Sequence, residues 1–75
     1  MYIEIRCYAT LAPYQPQSAN AYPLDRDSTV ADVIDDLKVP REEIKVAFVN
    51  GKHAPLSTQL ENGDRVALFP AVGGG

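Results

Sequence analysis

The chain has 75 residues, a single cysteine and a net charge of −3, from seven basic and ten acidic side chains. This length suffices for one compact domain, the lone cysteine excludes an internal disulfide framework, and the basic residues form no stripe that could bind a nucleic-acid backbone. No apolar run approaches the roughly 20 residues that span a bilayer, so we expect a soluble cytoplasmic protein that binds neither nucleic acid nor membrane.

An alternation of apolar and polar side chains predicts a first strand over residues 2–8. Ile3, Ile5 and Cys7 fall on one side of this strand, while charged residues occupy the other. We therefore interpret the cysteine as a small core residue, since a reactive thiol would need exposure and a cationic neighbour. A short second strand over residues 19–24 should return antiparallel to the first.

Prolines set several element boundaries, because proline lacks an N–H donor and has a fixed φ. Pro13 and Pro16 predict an irregular loop rather than a helix between the first two strands. Pro23 places the second strand at an edge of the sheet. Pro40 is predicted to stop the helix described next, and Pro70 to end the last strand.

The clearest helix signal begins at Thr29, which has the spacing of a capping box with Asp32. An apolar stripe with the i, i+3, i+4, i+7 spacing of a helix face follows: Val30, Val33, Ile34 and Leu37. Asp32, Asp35 and Asp36 share the opposite side. We interpret them as a solvated helix face rather than a cation site.

Two turn signals shape the C-terminal half of the chain. A segment rich in branched and aromatic residues, 45–49, runs into Asn50-Gly51, and both turn residues tolerate the positive φ angles of a tight hairpin. Residues 52–54 should pair back on this strand. A second, glycine-containing turn leads to a final strand over residues 66–69.

These elements predict an α+β fold of the β-grasp, or ubiquitin-like, type, with a mixed sheet of four to five strands packed on one main helix. The first and last strands should be neighbours at the centre of the sheet. We expect residues 1–70 to form the domain and residues 71–75 to form a flexible C-terminal glycine tail.

No set of side chains in the sequence predicts an active site. His53 is the only histidine, and a single ligand without a cysteine or histidine partner does not make a metal site. No glycine-rich phosphate loop opens the helix. We therefore expect a chain that is not itself an enzyme and that binds no metal or cofactor.

The C-terminal run Gly73-Gly74-Gly75 is different. Glycines are costly to order, but a backbone without Cβ atoms can thread a channel that a larger side chain would block. An extended chain from Pro70 to Gly75 reaches on the order of 20 Å, enough to enter a partner's active site. Taken alone, a triglycine is about as compatible with an unstructured end that has no function.

The residues before these glycines form a more specific pattern. A Gly-Asp turn, an apolar strand, a Phe-Pro pair, a branched residue and terminal glycines follow one another in residues 62–75, NGDRVALFPAVGGG. This segment strongly resembles the C-terminal signature of the MoaD/ThiS family of sulfur carriers, which includes the small subunit of molybdopterin synthase and the thiamine-pathway sulfur carrier. The hairpin at residues 49–51 and the helix entry at residues 29–30 also match the family pattern.

The resemblance implies a two-stage activation of the tail. An E1-like adenylyltransferase, using ATP and magnesium, would adenylate the Gly75 carboxylate, which is otherwise a poor electrophile. A sulfurtransferase or other persulfide donor would then convert it to a thiocarboxylate that donates sulfur in cofactor biosynthesis. Gly75 is thus the predicted reactive site, and Gly73 and Gly74 would thread into the partner.

Docking of the domain would require exposed apolar side chains near the tail. Phe69, Pro70 and Val72 are the main candidates, and Leu11 and Leu56 are further ones. Because neighbouring residues of a strand face opposite sides, we predict that Phe69 faces the partner and that the residue before it faces the core.

The resemblance leaves the recipient of the sulfur open. The Phe-Pro pair at residues 69–70 favours the molybdopterin type, in which this chain would be the small subunit of a synthase and the large subunit a further partner. The compact segment around Pro13 and Pro16 favours the thiamine type. Two further functions are compatible with the sequence: a protein modifier conjugated through Gly75, and a plain β-grasp binding module.

Overall fold

The computed structural model describes residues 1–71. The strands are β1 (Tyr2–Cys7), β2 (Tyr22–Pro23), β3 (Ile44–Val49), β4 (Lys52–Ala54) and β5 (Arg65–Pro70). The α-helix, α1, spans Val30–Asp36, and two 3-10 helices span Ala9–Tyr14 and Arg41–Glu43. None of the helices in this part of the chain has the length and hydropathy needed to cross a bilayer.

The five strands form one mixed sheet in the order β2-β1-β5-β3-β4. β1 and β5 lie side by side in parallel at its centre, with Cys7 opposite Leu68. The other neighbouring pairs are antiparallel. The predicted β-grasp fold, with the first and last strands as central neighbours, is therefore confirmed.

The N-terminus of α1 has the predicted capping box. The Thr29 hydroxyl accepts a hydrogen bond from the Asp32 backbone N–H, and the Asp32 carboxylate accepts one from the Thr29 backbone N–H. Each partner thereby satisfies a helix-end donor of the other. The stripe of Val30, Val33 and Ile34 is fully buried beneath the sheet.

The C-terminus of α1 differs from the prediction that Pro40 stops the helix. The helix ends at Asp36. Two residues later, Lys38 adopts a φ of 62° in the left-handed region. The N–H of Val39 donates to the Ile34 carbonyl and that of Lys38 to the Asp35 carbonyl, both at 3.1 Å. This is the Schellman arrangement, in which backbone hydrogen bonds close the helix before any proline is reached.

The predicted loop between β1 and β2 is wrong in part, because residues 9–14 form a 3-10 helix with Pro13 inside it. The fixed φ of proline is compatible with 3-10 geometry. Leu11 is fully buried in this segment and belongs to the main core. Burial of one leucine, which contributes about 1.5–3 kcal/mol, anchors a segment that the prolines alone made appear irregular.

The hairpin between β3 and β4 has the predicted turn. Asn50 and Gly51 both have positive φ, 54° and 81°, as a tight hairpin turn of the type I′ class requires. The Asn50 side chain also bonds to the Asp64 carboxylate at 2.8 Å and accepts from the Arg65 N–H at 3.0 Å. The turn is thereby connected to the start of β5.

Candidate functional site

The C-terminal tail leaves the domain from the middle of the sheet. Pro70, the last residue of β5, is opposite Ile44 of β3, and the N–H of Ala71 donates to the Glu43 carbonyl at 2.9 Å. Pairing with β1 ends at Leu68, so the exit point is fixed by contacts on the β3 side of β5, which continue up to residue 71. The remaining predicted site residues, Val72 and Gly73-Gly74-Gly75, lie outside the described residues.

The strand that leads into the tail has two different faces. Val66 and Leu68 are fully buried against the core, whereas Ala67 and Phe69 lie on the opposite face, which α1 does not cover. Strand alternation produces this division. The prediction that Leu68 is a core residue is confirmed, and Phe69 lies half-buried on the open face.

Phe69 is part of an aromatic cluster, here called the aromatic patch, formed with Tyr8 and Phe48. The rings of Tyr8 and Phe69 are stacked, with centroids 4.6 Å apart and an interplanar angle of 5°. Phe48 meets Phe69 edge-on at 5.5 Å. His53, directly opposite Phe48 on β4, extends the patch with an edge-on contact at 6.1 Å.

The aromatic patch lines a shallow groove of about 310 Å³ together with Gly51, Arg65 and Ala67. Arg65 is held there by Glu4, whose carboxylate lies 3.0 Å from the Arg65 Nε. An exposed aromatic patch with a charged rim is the composition of a protein-binding surface. Tyr8, which remains 43% exposed, has its ring held by stacking while a large area stays accessible.

The other predicted docking residues lie elsewhere. Leu11 was predicted as a docking residue, and this is wrong, because its side chain is fully buried and cannot contact a partner. Leu56 is half-buried against the core and lines a different groove, beside β3 and β4. Pro70 lies at the end of β5, next to Phe69 in the chain.

The three aspartates of α1 have structural partners. Asp32 forms the capping box, Asp35 forms an ion pair with Arg41 at 3.0 Å, and Asp36 accepts a hydrogen bond from the Tyr22 hydroxyl. No cluster of three or more potential metal ligands occurs within residues 1–71. The three carboxylates therefore serve a helix cap, an ion pair and a hydrogen bond at the surface of the domain.

Besides Arg41, whose pKa is raised by its hydrogen bond to Asp35, Cys7 and Tyr22 have raised pKa values, and neither of these two is poised for catalysis. Burial raises the pKa of the Cys7 thiol, which disfavours the nucleophilic thiolate. Burial, followed by the hydrogen bond to Asp36 and its negative charge, raises the pKa of Tyr22 to about 12. Both side chains therefore remain protonated at neutral pH and serve the packing of the domain.

Sequence reasoning did not identify Tyr8 and Phe48 as site residues. Alternation in β1 placed Tyr8 on the face opposite the core, but only the parallel pairing of β1 with β5 sets it beside Phe69. Phe48 joins them from the other side of β5. One sequence signal could have found them: strand alternation places each of these aromatic side chains on the outer face of its own strand.

The fold and the exit of the tail from the central strand define a small ubiquitin-like protein of the carrier and modifier class. A model of the ThiS family matches residues 8–75, and the chain belongs to this family. Proteins of this class are generally carriers that work with E1-like activating enzymes and are not enzymes themselves.

Three solved structures that this chain resembles are of proteins from Haloferax volcanii. The crystal structure of SAMP1 is 27% identical with a TM-score of 0.72, and the match covers 100% of both chains. A crystal structure of small archaeal modifier protein 1 is 26% identical (TM-score 0.70; 95% and 98% covered). The solution structure of the HVO 2177 protein is 29% identical (TM-score 0.73; 100% and 87% covered). The comparison with curated proteins gave no match.

Proposed function

We propose that this chain is a sulfur carrier whose C-terminal Gly75 is adenylated by an E1-like enzyme and converted to a thiocarboxylate. The thiocarboxylate donates its sulfur in cofactor biosynthesis, with molybdopterin assembly as the recipient pathway. The observation that carries the proposal is the ThiS family match, which extends to Gly75 and so includes the three glycines. The cytoplasmic location expected from the sequence is part of the same proposal.

The chemistry requires three displacements: at the α-phosphate of ATP, at the acyl carbon of Gly75 and at the sulfur of an acyl disulfide. An oxygen of the Gly75 carboxylate attacks the α-phosphate of ATP, pyrophosphate leaves, and an acyl adenylate forms with magnesium held by the partner enzyme. A persulfide sulfur then attacks the acyl carbon and AMP leaves. A second thiol cleaves the resulting acyl disulfide, so that a thiocarboxylate remains on the glycine and the persulfide carrier departs as a disulfide.

The domain contributes binding and position to this reaction, and the partners contribute catalysis. Phe69 of the aromatic patch lies on β5, the strand that leads into the tail, only six positions before Gly75. We propose that the activating enzyme binds the patch and thereby holds the tail at high effective concentration in its adenylation site. Phe69, Pro70 and Val72 remain the predicted docking residues, with Tyr8 and Phe48 added.

The decisive experiment is mass spectrometry of the intact chain after incubation with its E1-like enzyme, ATP, magnesium and a persulfide donor. We expect the mass gain of one oxygen replaced by one sulfur, located on the C-terminal peptide. A variant with one tryptophan added after Gly75 should fold normally and gain no mass. If the capped variant gained the same mass as the natural chain, the terminal carboxylate would not be the reacting group.

The role of the aromatic patch can be tested with two tyrosines, Tyr2 at the start of β1 and Tyr8 directly after its end. Tyr8 and Tyr2 are both exposed, at 43% and 57%, but Tyr2 lies at the far end of β1, outside the patch. We expect Tyr8→Ala to lower kcat/KM for adenylation by at least about tenfold and Tyr2→Ala to leave it near the natural value. Equal losses in both variants would contradict docking through the patch.

A second candidate function is protein modification, in which the activated Gly75 is joined to lysines of target proteins. The similarity to two structures of a small archaeal modifier protein favours this function. Immunoblots of cells that produce a tagged chain would then show a ladder of covalent conjugates that disappears when Gly75 is deleted. A sulfur carrier without this second activity would show only the free chain.

Reconstitution with purified partner enzymes can distinguish the molybdopterin pathway from the thiamine pathway. Mixing the thiocarboxylated chain with a molybdopterin synthase large subunit and its pterin precursor should yield the dithiolene product if the chain is the small subunit of that synthase. Transfer of sulfur only to the thiazole-forming enzymes would assign the chain to the thiamine pathway instead. Unchanged function of a chain lacking the last two glycines would favour a plain β-grasp binding module.

A further inference from the structure

The sheet has an open stretch of edge beside β4. β3 begins at Ile44, but β4 pairs only with residues 47–49. On the β4 side, residues 44–46 therefore have no strand neighbour within the described chain, while their other side pairs with β5 across an irregularity. A strand edge that lacks a neighbour is a template onto which another extended segment can add.

A groove of about 200 Å³ runs along this open edge. Its lining includes the apolar residues Ile44, Val46 and Leu56 and the basic residues Arg41, Lys45 and His53. No acidic residue from the described part of the chain lines it. The volume is below the roughly 300–1,000 Å³ typical of small-molecule pockets, so its size fits a few side chains of a bound peptide better than a cofactor or metabolite.

The charge of this groove is opposite to that of the chain as a whole, which is −3. By contrast, the larger cavity near the start of α1 has four aspartates in its lining: Asp25, Asp27, Asp32 and Asp36. Lys45 is exposed and forms no ion pair within residues 1–71. A local basic site attracts an acidic partner segment although the net charge of the chain is negative.

Arg41 has a fixed orientation at one end of the groove. Its guanidinium donates to the two carboxylate oxygens of Asp35 at 3.3 Å and 3.0 Å. This contact offsets part of its charge but also holds the side chain in place, which reduces the conformational entropy lost when a partner binds. Lys45 therefore supplies most of the uncompensated positive charge, and Arg41 supplies a pre-positioned donor group.

We propose that this groove, the β3-edge groove, binds an extended acidic peptide segment of a partner protein by strand addition to residues 44–46. Three residues of such a segment span about 10 Å and would pair with the free side of β3. Alternate side chains then face opposite ways: apolar ones pack toward Ile44 and Leu56, which contact the core, and acidic ones approach Lys45. The site does not involve Gly75, so it is independent of sulfur transfer.

The test is an NMR titration of the full ¹⁵N-labelled chain with a short capped peptide of alternating valine and aspartate residues. We expect saturable amide shifts concentrated at residues 44–46 and 52–56. The same peptide with N-methylated backbone amides should not bind, because it cannot donate to the strand edge. A peptide of alternating valine and lysine should also fail to bind.

Two lysine variants give a matched pair on the protein side. Lys45→Glu reverses a charge inside the groove, and Lys52→Glu reverses the same charge on β4 outside its lining. We expect Lys45→Glu to weaken peptide binding at least about fivefold and Lys52→Glu to change it less than about twofold. Equal effects of the two variants would show that binding depends only on the net charge of the protein and not on the position of Lys45. This result would overturn the proposal.

Two further outcomes concern where the peptide binds and whether its binding depends on the C-terminal tail. Shifts confined to Tyr8, Phe48 and Phe69 would place the peptide on the aromatic patch and contradict strand addition at β3. A chain lacking Gly75 should bind the peptide as tightly as the full chain. This result would hold even if sulfur transfer failed, so the groove and the proposed carrier function can fail separately.

Discussion

The two faces of β5 bear different kinds of side chains although they belong to one short strand. On the inner face, Val66 and Leu68 are fully buried between the sheet and α1. On the outer face, Phe69 stacks on Tyr8 and contacts Phe48, yet no element of the described chain covers these rings. The inner face stabilises the domain, and the outer face keeps apolar area available next to the exit of the tail. Residues one position apart should therefore respond differently to mutation.

The largest expected effect on this comparison comes from Leu68→Ala. The side chain is fully buried, and its removal leaves a cavity that the surrounding residues fill only in part, so the free energy of unfolding should fall by about 2–5 kcal/mol. Small domains have only about 5–15 kcal/mol in total. Urea denaturation followed by circular dichroism measures the change. A loss below about 1 kcal/mol would show that the inner face of β5 is not a tightly packed core.

The next largest effect should be seen in Phe69→Ala, and it should be mainly functional. Partial burial and the aromatic contacts of the ring predict a loss of about 1–2 kcal/mol in unfolding free energy. In contrast, kcat/KM for adenylation by the E1-like enzyme should fall at least about tenfold. Both quantities are measured on the same purified variant. If Phe69→Ala lost as much stability as Leu68→Ala and kept full adenylation, the outer face of β5 would serve stability and not partner binding.

A smaller effect, at the rim of the inner face, concerns the pH dependence of stability. The pKa of Tyr22 is raised from 10 to about 12, so above pH 10 the unfolded chain loses its phenolic proton before the folded chain does. The stabilising contribution of Tyr22 is thus complete below about pH 10 and should decline between about pH 10 and 12. Denaturation curves of the natural chain and Tyr22→Phe measure the difference. Identical pH profiles in this window would contradict the rise in the Tyr22 pKa that burial and the Asp36 contact produce.

The smallest effect is expected for Glu4→Gln on the outer face. Glu4 forms ion pairs with Arg65 at 3.0 Å and with Arg6 at 3.7 Å, and all three side chains are about one-third exposed or more. Solvent-exposed ion pairs contribute about 0–1 kcal/mol and are screened by salt. The unfolding free energy should therefore change by less than about 1 kcal/mol, and the change should shrink in high salt. A larger loss would mean that the outer face also carries stability.

Most of the fold could be predicted because its signals are local. The spacing of the apolar stripe, the Thr29–Asp32 capping box and the Asn50-Gly51 turn each depend on residues a few positions apart. The segment with Pro13 was misjudged as an irregular loop, because its regular structure depends on burial of Leu11, a long-range contact that no local pattern reports. The end of α1 was misplaced for a related reason, since Lys38 adopts a left-handed conformation usually reserved for glycine.

The candidate site divides in the same way. Chain order and strand alternation suffice to predict the glycine tail, its place after a Phe-Pro pair and the outward orientation of Phe69. Two features become visible only in the three-dimensional fold: the patch of Tyr8, Phe48 and Phe69, and the edge at residues 44–46 that the short β4 leaves open. These features join residues from separate strands, and the pairing and register that bring them together are set by the packing of the whole sheet on its helix.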